Sequence, residues 1–142
     1  MKILNRRAKY DYQLLERFEV GISLLGKEVR AIKDGHLDLS HAYGKIINNE
    51  MYLINANITV EGAKNYNPTR ARKLLLHRNE IINLEAKIKA KKLTLVPTKM
   101  YTKNRLIKIE LALAKSKRKF EKKEQKKRKD MEREIEREIK GT

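Results

Sequence analysis

Asn5-Arg6-Arg7-Ala8-Lys9-Tyr10 places three cations, an amide and an aromatic ring within six residues. An Arg guanidinium binds phosphate bidentately and stacks on a base, and a Tyr ring offers a flat face to the same target. The other reading of this segment is a solvated N-terminal lead-in. Arg70, Arg72, Lys73 and Arg78, then Lys99, Lys103, Arg105 and Lys108, supply further cations, which form one patch if their elements meet in space. Glu19 stands out in the run Arg17-Phe18-Glu19-Val20-Gly21. A carboxylate near such a face repels phosphate. Its useful chemistry there is to accept a hydrogen bond from a base amino group or to orient a nearby Arg or Lys. The bland alternative is a surface ion pair.

Other chemistries find little support. His36 and His41 flank a loop that also holds Asp38, and His77 stands apart. A metal site needs three or four convergent ligands and the chain has no Cys, so these read as surface or hydrogen-bonded loop histidines. Neither metal nor cofactor is expected. The GxSxG, GxxxxGK[ST] and HExxH patterns do not occur. Glu16 and Glu19 are close in sequence, but Arg17 lies between them, so they make a poor acid–base pair. Binding rather than catalysis is expected.

The charge agrees. The 142-residue chain carries a formal net charge of +17. That excess attracts polyanions over about one Debye length, roughly 8 Å at physiological salt. Nucleic acid and anionic membrane are the candidates. Membrane is disfavoured: there is no run of about 18 apolar residues, and MKILNRRAKY lacks the apolar core of a signal peptide. The absence of Cys suits a reducing cytoplasm.

The elements that must position these residues can be read from periodicity. Phe18, Val20, Ile22 and Leu24 alternate within Tyr12–Leu25, a strand that Gly26 ends. Lys27–Lys33 reads as a short helix stopped by Gly35. Tyr43–Ile47 and Met51–Ile58 read as a hairpin about Asn48-Asn49, because Asn tolerates positive φ. Thr59–Thr69 is an exposed loop, and Arg72–Leu76 is ambiguous. Asn79–Lys89 fits a helix burying Ile81, Ile82, Leu84, Ala86 and Ile88. Leu93–Thr102 and Leu106–Ala114 alternate as strands joined by Lys103-Asn104-Arg105, with Pro97 at an edge or bulge. About five or six short strands with two or three helices predict a small mainly β or α+β domain. Closed or partly open barrels of this size often bind single strands or irregular RNA.

Residues 115–142 differ in kind. They hold 13 Lys/Arg and 7 Asp/Glu, with Phe120, Met131, Ile135 and Ile139 as their only large apolar residues. So little apolar surface cannot offset the entropy of ordering, so a mobile tail that orders on a polyanion is expected. Met131, Ile135 and Ile139 recur every four residues, as along one side of a helix formed on binding.

Four segments together resemble the SsrA-binding protein family: NRRAKYDY (5–12), FEVGISLLGKEVRAIKDGHLDLSHAY (18–43), NPTRARKLLLHRNEI (67–81) and LTLVPTKMYTKNRLIKIELALAK (93–115). They keep the family's order and spacing. The resemblance implies an oligonucleotide-binding-type (OB-like) closed antiparallel barrel of about six strands with about three short helices over 1–114, and a basic tail over 115–142. It implies a cytoplasmic monomer without enzymatic activity. Such a protein binds the tRNA-like domain of transfer-messenger RNA and takes it to stalled ribosomes for trans-translation. Elongation factor Tu and alanyl-tRNA synthetase are implied only as indirect partners.

Residue by residue, Glu19 matches the family's Glu before Val/Ala-Gly, Leu75 the middle of its Leu triplet, and Lys108 the Lys of its last strand. Asn5, Arg7 and Lys9 match its N-terminal polar cluster. With Tyr10, Lys73, Lys103 and Asn104 these make the expected RNA-binding set. The expected ribosome-binding tail residues are Lys115, Lys117, Arg118, Phe120, Lys122 and Lys123. Here the sequence departs from the family's Gly-Lys-Lys, aromatic or His, Asp-Lys-Arg pattern at Ser116, Arg118, Glu121 and Lys123. The alternative reading is a structural ribosomal or ribosome-assembly RNA-binding protein of similar fold.

Overall fold

Alternating apolar residues dominate the second half of the body, and two long strands result. In chain order the elements are β1 (Lys2–Leu4), α1 (Arg6–Asp11), β2 (Tyr12–Ile22), α2 (Gly26–Lys33), β3 (Leu37–Asp38), β4 (Tyr43–Ile47), β5 (Glu50–Ile54), β6 (Asn57–Ile58), β7 (Arg72–Leu75), α3 (Arg78–Lys91) and the two long strands β8 (Thr94–Lys103) and β9 (Leu106–Ser116). The structure, a computed structural model, describes residues 1–117, 126–127, 129–135 and 137. The described residues between 126 and 137 are helical, with Met131 and Ile135 exposed.

Six strands close on themselves. β8 pairs with β4, β4 with β5, β5 with β7, β7 with β2, β2 with β9, and β9 back with β8, every pairing antiparallel. This ring agrees with the expected closed architecture. Its interior is filled by Met51, Leu53, Leu74, Leu95, Met100, Ile109, Leu111 and Leu113, all essentially inaccessible. The thinnest seam is the single β4–β8 pair, Gly44 with Leu95. A Cβ on Gly44 would lie 2.9 Å from the Leu95 Cβ, so only glycine lets the seam close. β1 extends the sheet along the far half of β8, and β3 and β6 form a separate two-stranded ribbon.

Pro97 lies at a bulge, where the β8–β9 register slips between Pro97 and Lys99. The extra residue reverses the parity of β8. Beyond Thr98, Lys99, Tyr101 and Lys103 share the outer face while Met100 points inward. The bulge frees carbonyls, and Asn5 takes them: its backbone N–H donates to Thr98 O at 2.8 Å and its side-chain amide to Pro97 O at 2.8 Å, while the same amide ties in Leu39 O, after β3, at 3.1 Å. Asn5→Ala is therefore expected to destabilise the body by about 2 kcal/mol, because the Pro97 carbonyl loses its amide donor and the Leu39 carbonyl keeps only the Ala42 N–H, at 3.0 Å. Urea unfolding checks this, and a parental midpoint refutes it.

Several boundaries differ from expectation. β2 ends at Ile22 and Gly26 begins α2 rather than closing the strand, because the Glu28 carboxylate accepts the Leu25 N–H at 2.9 Å and starts the helix there. The hairpin about Asn48-Asn49 forms as expected, with φ of 50° and 63°. β5 stops at Ile54, since Asn55 at φ 60° turns the chain, and Asn57–Ile58 pair with β3 instead. In α3 only Ile81 and Leu84 are buried and Ile88 partly so, whereas Ile82 and Ala86 face solvent. The helix meets the ring along one narrow edge. β9 runs two residues past Ala114: Lys115 and Ser116 pair with Gln13 and Tyr12, and the Lys117 N–H reaches Asp11 O at 3.0 Å.

α1 lies on the outside of the ring. Ala8 packs on Val96, Ala112 and Ala114, with Tyr12 and Leu14 at the margin. Small side chains on the sheet let the helix approach closely. α1 thus covers one half of the outer face of β2, β9 and β8 and leaves the other half open.

Candidate nucleic-acid interface

The open half is ordered by strand register. Leu75 on β7, Gly21 on β2, Lys108 on β9 and Tyr101 on β8 form one cross-strand row, and Glu19, Glu110 and Lys99 form the next. Gly21 has a local reason: a Cβ there would sit 3.2 Å from Leu75 Cδ1 and press on a leucine that lies across it, 54% exposed.

Glu19 and Glu110 face each other, and each carboxylate is held by neighbours. The Tyr101 hydroxyl donates to Glu19, and Lys103 Nζ lies 3.4 Å from it. Thr98 Oγ1 donates to Glu110 at 2.5 Å, with Lys99 Nζ 3.8 Å away. The Tyr101 bond, chiefly, pulls the Glu19 pKa below the ordinary carboxylate value; slight burial opposes it, and Lys103 and Lys108 reinforce it. Burial and the Glu19 carboxylate push the Tyr101 phenol well up. At neutral pH the face therefore carries an ionised, fixed acceptor among cations. Lys108 makes no ion pair among the described residues.

Beside this face, α1 and the sheet enclose a cleft of about 470 Å³. Lys2, Arg6, Lys9, Arg17, Lys99 and Lys129 line it with Tyr10, and Glu110 is its one carboxylate among the described residues. Such a concave, mainly cationic wall concentrates anions.

The expected residues are thus only partly brought together. Glu19, Leu75, Lys103 and Lys108 share the outer face, with Lys73 next to Leu75 along β7 but paired with Glu50 at 3.2 Å. Asn104 sits in the β8–β9 turn at φ 51°. Lys9 and Tyr10 line the α1 cleft; Arg7 does not, and pairs instead with Asp11 at 3.0 Å. Asn5 is buried yet borders the α1 cleft, and its amide donates to Pro97 O at the bulge and to Leu39 O, which fixes the entry to α1. Lys115 is exposed at the end of β9, and Lys117 Nζ donates to Lys9 O at 2.7 Å. Arg118, Phe120, Lys122, Lys123 and Ile139 lie outside the described residues.

Arg72 is a correction of another kind. It does not join a surface patch but is fully buried. Its guanidinium donates to Glu28 at 2.6 and 2.9 Å, to Ala56 O at 2.6 Å, to Pro68 O at 2.8 Å and to the Tyr66 hydroxyl at 2.9 Å. Arg70 also donates to Glu28, and Lys27 Nζ stands 4.7 Å over the Tyr66 ring. Burial by itself would raise the Glu28 pKa. The bonds from Arg70, the Leu25 N–H, Arg72 and Tyr66 outweigh it and hold the group at about 2.

Arg6, Arg17, Lys99, Tyr101 and Leu106 were not singled out together from sequence. The signal that finds Lys99 and Tyr101 is the parity change at Pro97-Thr98, which sends them with Lys103 to the Lys108 face.

The family described as SmpB protein matches residues 2–141. An SsrA-binding protein of Koribacter versatilis is 47% identical over 118 residues, 81% of this chain and 67% of the relative. That of Deinococcus radiodurans is 47% identical over 117 residues, 80% of this chain and 82% of the relative. A chain from the solved structure described as "tmRNA-SmpB: a journey to the center of the bacterial ribosome" superposes with a TM-score of 0.68 at 39% identity, covering 83% of this chain and 85% of that one. With the match running from the first strand of the body into the tail, the chain belongs to the SmpB protein family.

Proposed function

We propose that this chain is the RNA-binding adaptor of trans-translation: it binds transfer-messenger RNA and delivers it to stalled ribosomes, so that the ribosome is released and the unfinished peptide is tagged. It acts by binding, with no chemistry of its own. The observation that carries the reading is the outer face on which Leu75, Lys108, Lys103 and a fixed Glu19 carboxylate lie together, in a chain alike in fold and sequence to one from a tmRNA–SmpB structure.

The face suits folded, irregular RNA better than plain duplex. Lys108 and Lys103 take phosphate, and Leu75 offers an apolar surface to a base or ribose. Glu19 is the discriminating element. A backbone phosphate brought against it is repelled, whereas a base amino group is accepted. The α1 cleft extends the cation-lined surface for the same RNA, and residues beyond the body engage the ribosome.

Competition binding at about 150 mM salt tests this, with the tRNA-like domain of transfer-messenger RNA against duplex and unstructured RNA of equal length. A preference of about a hundredfold is expected. Equal binding to all three would mean that charge alone drives association and would refute the adaptor reading. In the same assay Lys108→Ala is expected to weaken binding several-fold and to lower the salt slope by just under about one unit. Unchanged affinity and slope would remove Lys108 from the face.

A further inference from the structure

The β8–β9 turn contains a residue its geometry disfavours. Asn104 and Arg105 are its two central residues, at φ 51° and 67°, closed by the Lys103–Leu106 pair. Turns with two positive φ values want Asn at the first position and Gly at the second. Elsewhere the chain obeys this preference: among the described residues every other positive φ falls on Asn or Gly, apart from Lys92 at the end of α3. The hairpin at 48–49 meets the same demand with Asn-Asn. Arg105 carries a Cβ where the left-handed conformation crowds it. A strained residue at a surface tip points to a use for its side chain.

The surroundings indicate that use. Arg105 borders a cleft of about 210 Å³ whose other walls include Leu75, Leu106, Gly21, Val29 and Lys108. Leu75 and Leu106 are 54% and 60% exposed, unusual for leucines beside a core. No carboxylate lines the cleft, and Arg105 has no ion pair among the described residues. Two apolar walls flanked by two cations match one ligand shape: a flat base with a phosphate attached. A base stacked inside a duplex cannot enter, so the nucleotide must be unstacked. A guanidinium fork at the lip then meets the phosphate with two parallel bonds, which a lysine cannot do.

We propose that Arg105 and Leu106, with Leu75 opposite, form a subsite for one unstacked nucleotide of the bound RNA, its base between the leucines and its phosphate on Arg105. This rests on the reading that RNA is the ligand of the face. Charge complementarity selects that occupant, since the cleft offers an anion two cations and no repelling group.

Arg105→Gly gives the proposal a signature that a structural residue would not show. Glycine relieves the turn, so the variant is expected to melt about 4 °C higher. Its affinity for the tRNA-like domain should nonetheless fall about fivefold to tenfold, with a salt slope shallower by just under about one unit. Arg105→Lys keeps the charge but loses the fork and should fall between. 2-Aminopurine placed in turn at the RNA's unpaired positions should brighten at one position with the parent and not with Leu106→Ala. A more stable Arg105→Gly with parental affinity and slope would overturn the subsite. So would an equal loss for duplex RNA, which would make Arg105 a general phosphate contact. The adaptor reading fails separately, if the parent itself does not prefer the tRNA-like domain over duplex.

Discussion

Arg72→Met is expected to lower the unfolding free energy by about 3–5 kcal/mol, enough to abolish or nearly abolish the folded state of a small domain. Arg72 is fully buried and ties together four parts of the chain: α2 through Glu28, the turn at Ala56, the loop at Tyr66 and Pro68, and β7, on which it sits. Methionine fills much of the same volume but donates nothing. Glu28 is then left buried and charged with only the partly exposed Arg70 as a cationic partner, the Ala56 carbonyl loses the Arg72 donor, and the Pro68 carbonyl keeps only the Ile58 N–H. The cost belongs to the stranded groups more than to the lost attraction. Glu28→Met combined with Arg72→Met is therefore expected to be far less damaging than Arg72→Met alone. Urea unfolding followed by circular dichroism makes the comparison, and equal midpoints for parent and Arg72→Met would remove the network from the account of stability.

The same network sets an acid limit. The Glu28 pKa is lowered from 4.5 to about 2 on folding. A depressed carboxylate stabilises the fold fully above its unfolded value and loses that contribution as pH falls through the folded one. The parent should thus lose stability progressively between about pH 4.5 and pH 2. Glu28→Gln, which has no proton to gain, should be weaker at neutral pH and flatter across that window.

The legible parts of the fold were those whose cause is local. β9 carries a large apolar residue at every second position from Ile107 to Leu113, and Asn48-Asn49 states its own turn. Where the cause lies far along the chain, local pattern misleads. Arg72 sits in a basic run with no nearby acid, and its partner is 44 residues away. Asn5 sits among cations like an RNA contact, yet its amide answers a bulge 92 residues on. Pro97 announces a bulge but cannot say that Thr98 is the residue doubled, so the parity of Lys99, Tyr101 and Lys103 was not readable. Glu19, Leu75 and Lys108 were placed by resemblance. Strand register supplies the physical reason they belong together: Leu75, Gly21 and Lys108 occupy one row, and Glu19 reaches across β9 to Tyr101.

Ending the chain at Lys117 or at Ala114 should give two different proteins. The shorter form loses the pairs of Lys115 with Gln13 and Ser116 with Tyr12, and both bonds of Lys117 to the last turn of α1, at Asp11 and Lys9. These contacts hold the helix that walls the cation-lined cleft. The Ala114 form is expected to be about 1–2 kcal/mol less stable and to bind RNA more weakly. The Lys117 form keeps every one of these contacts. It should fold with parental stability and retain most of its affinity for the tRNA-like domain. Residues 118–142 carry 11 Lys/Arg and 7 Asp/Glu, a basic excess that a ribosomal RNA surface would attract. Peptide tagging on ribosomes stalled at the end of a message without a stop codon is therefore expected to vanish in the Lys117 form. If that form tagged at the parental rate, delivery would reside in the body alone. If it lost RNA binding as well, the tail would be part of the RNA site, and the Tyr10 end of the cleft, where Lys129 already stands, would be the place to look for it.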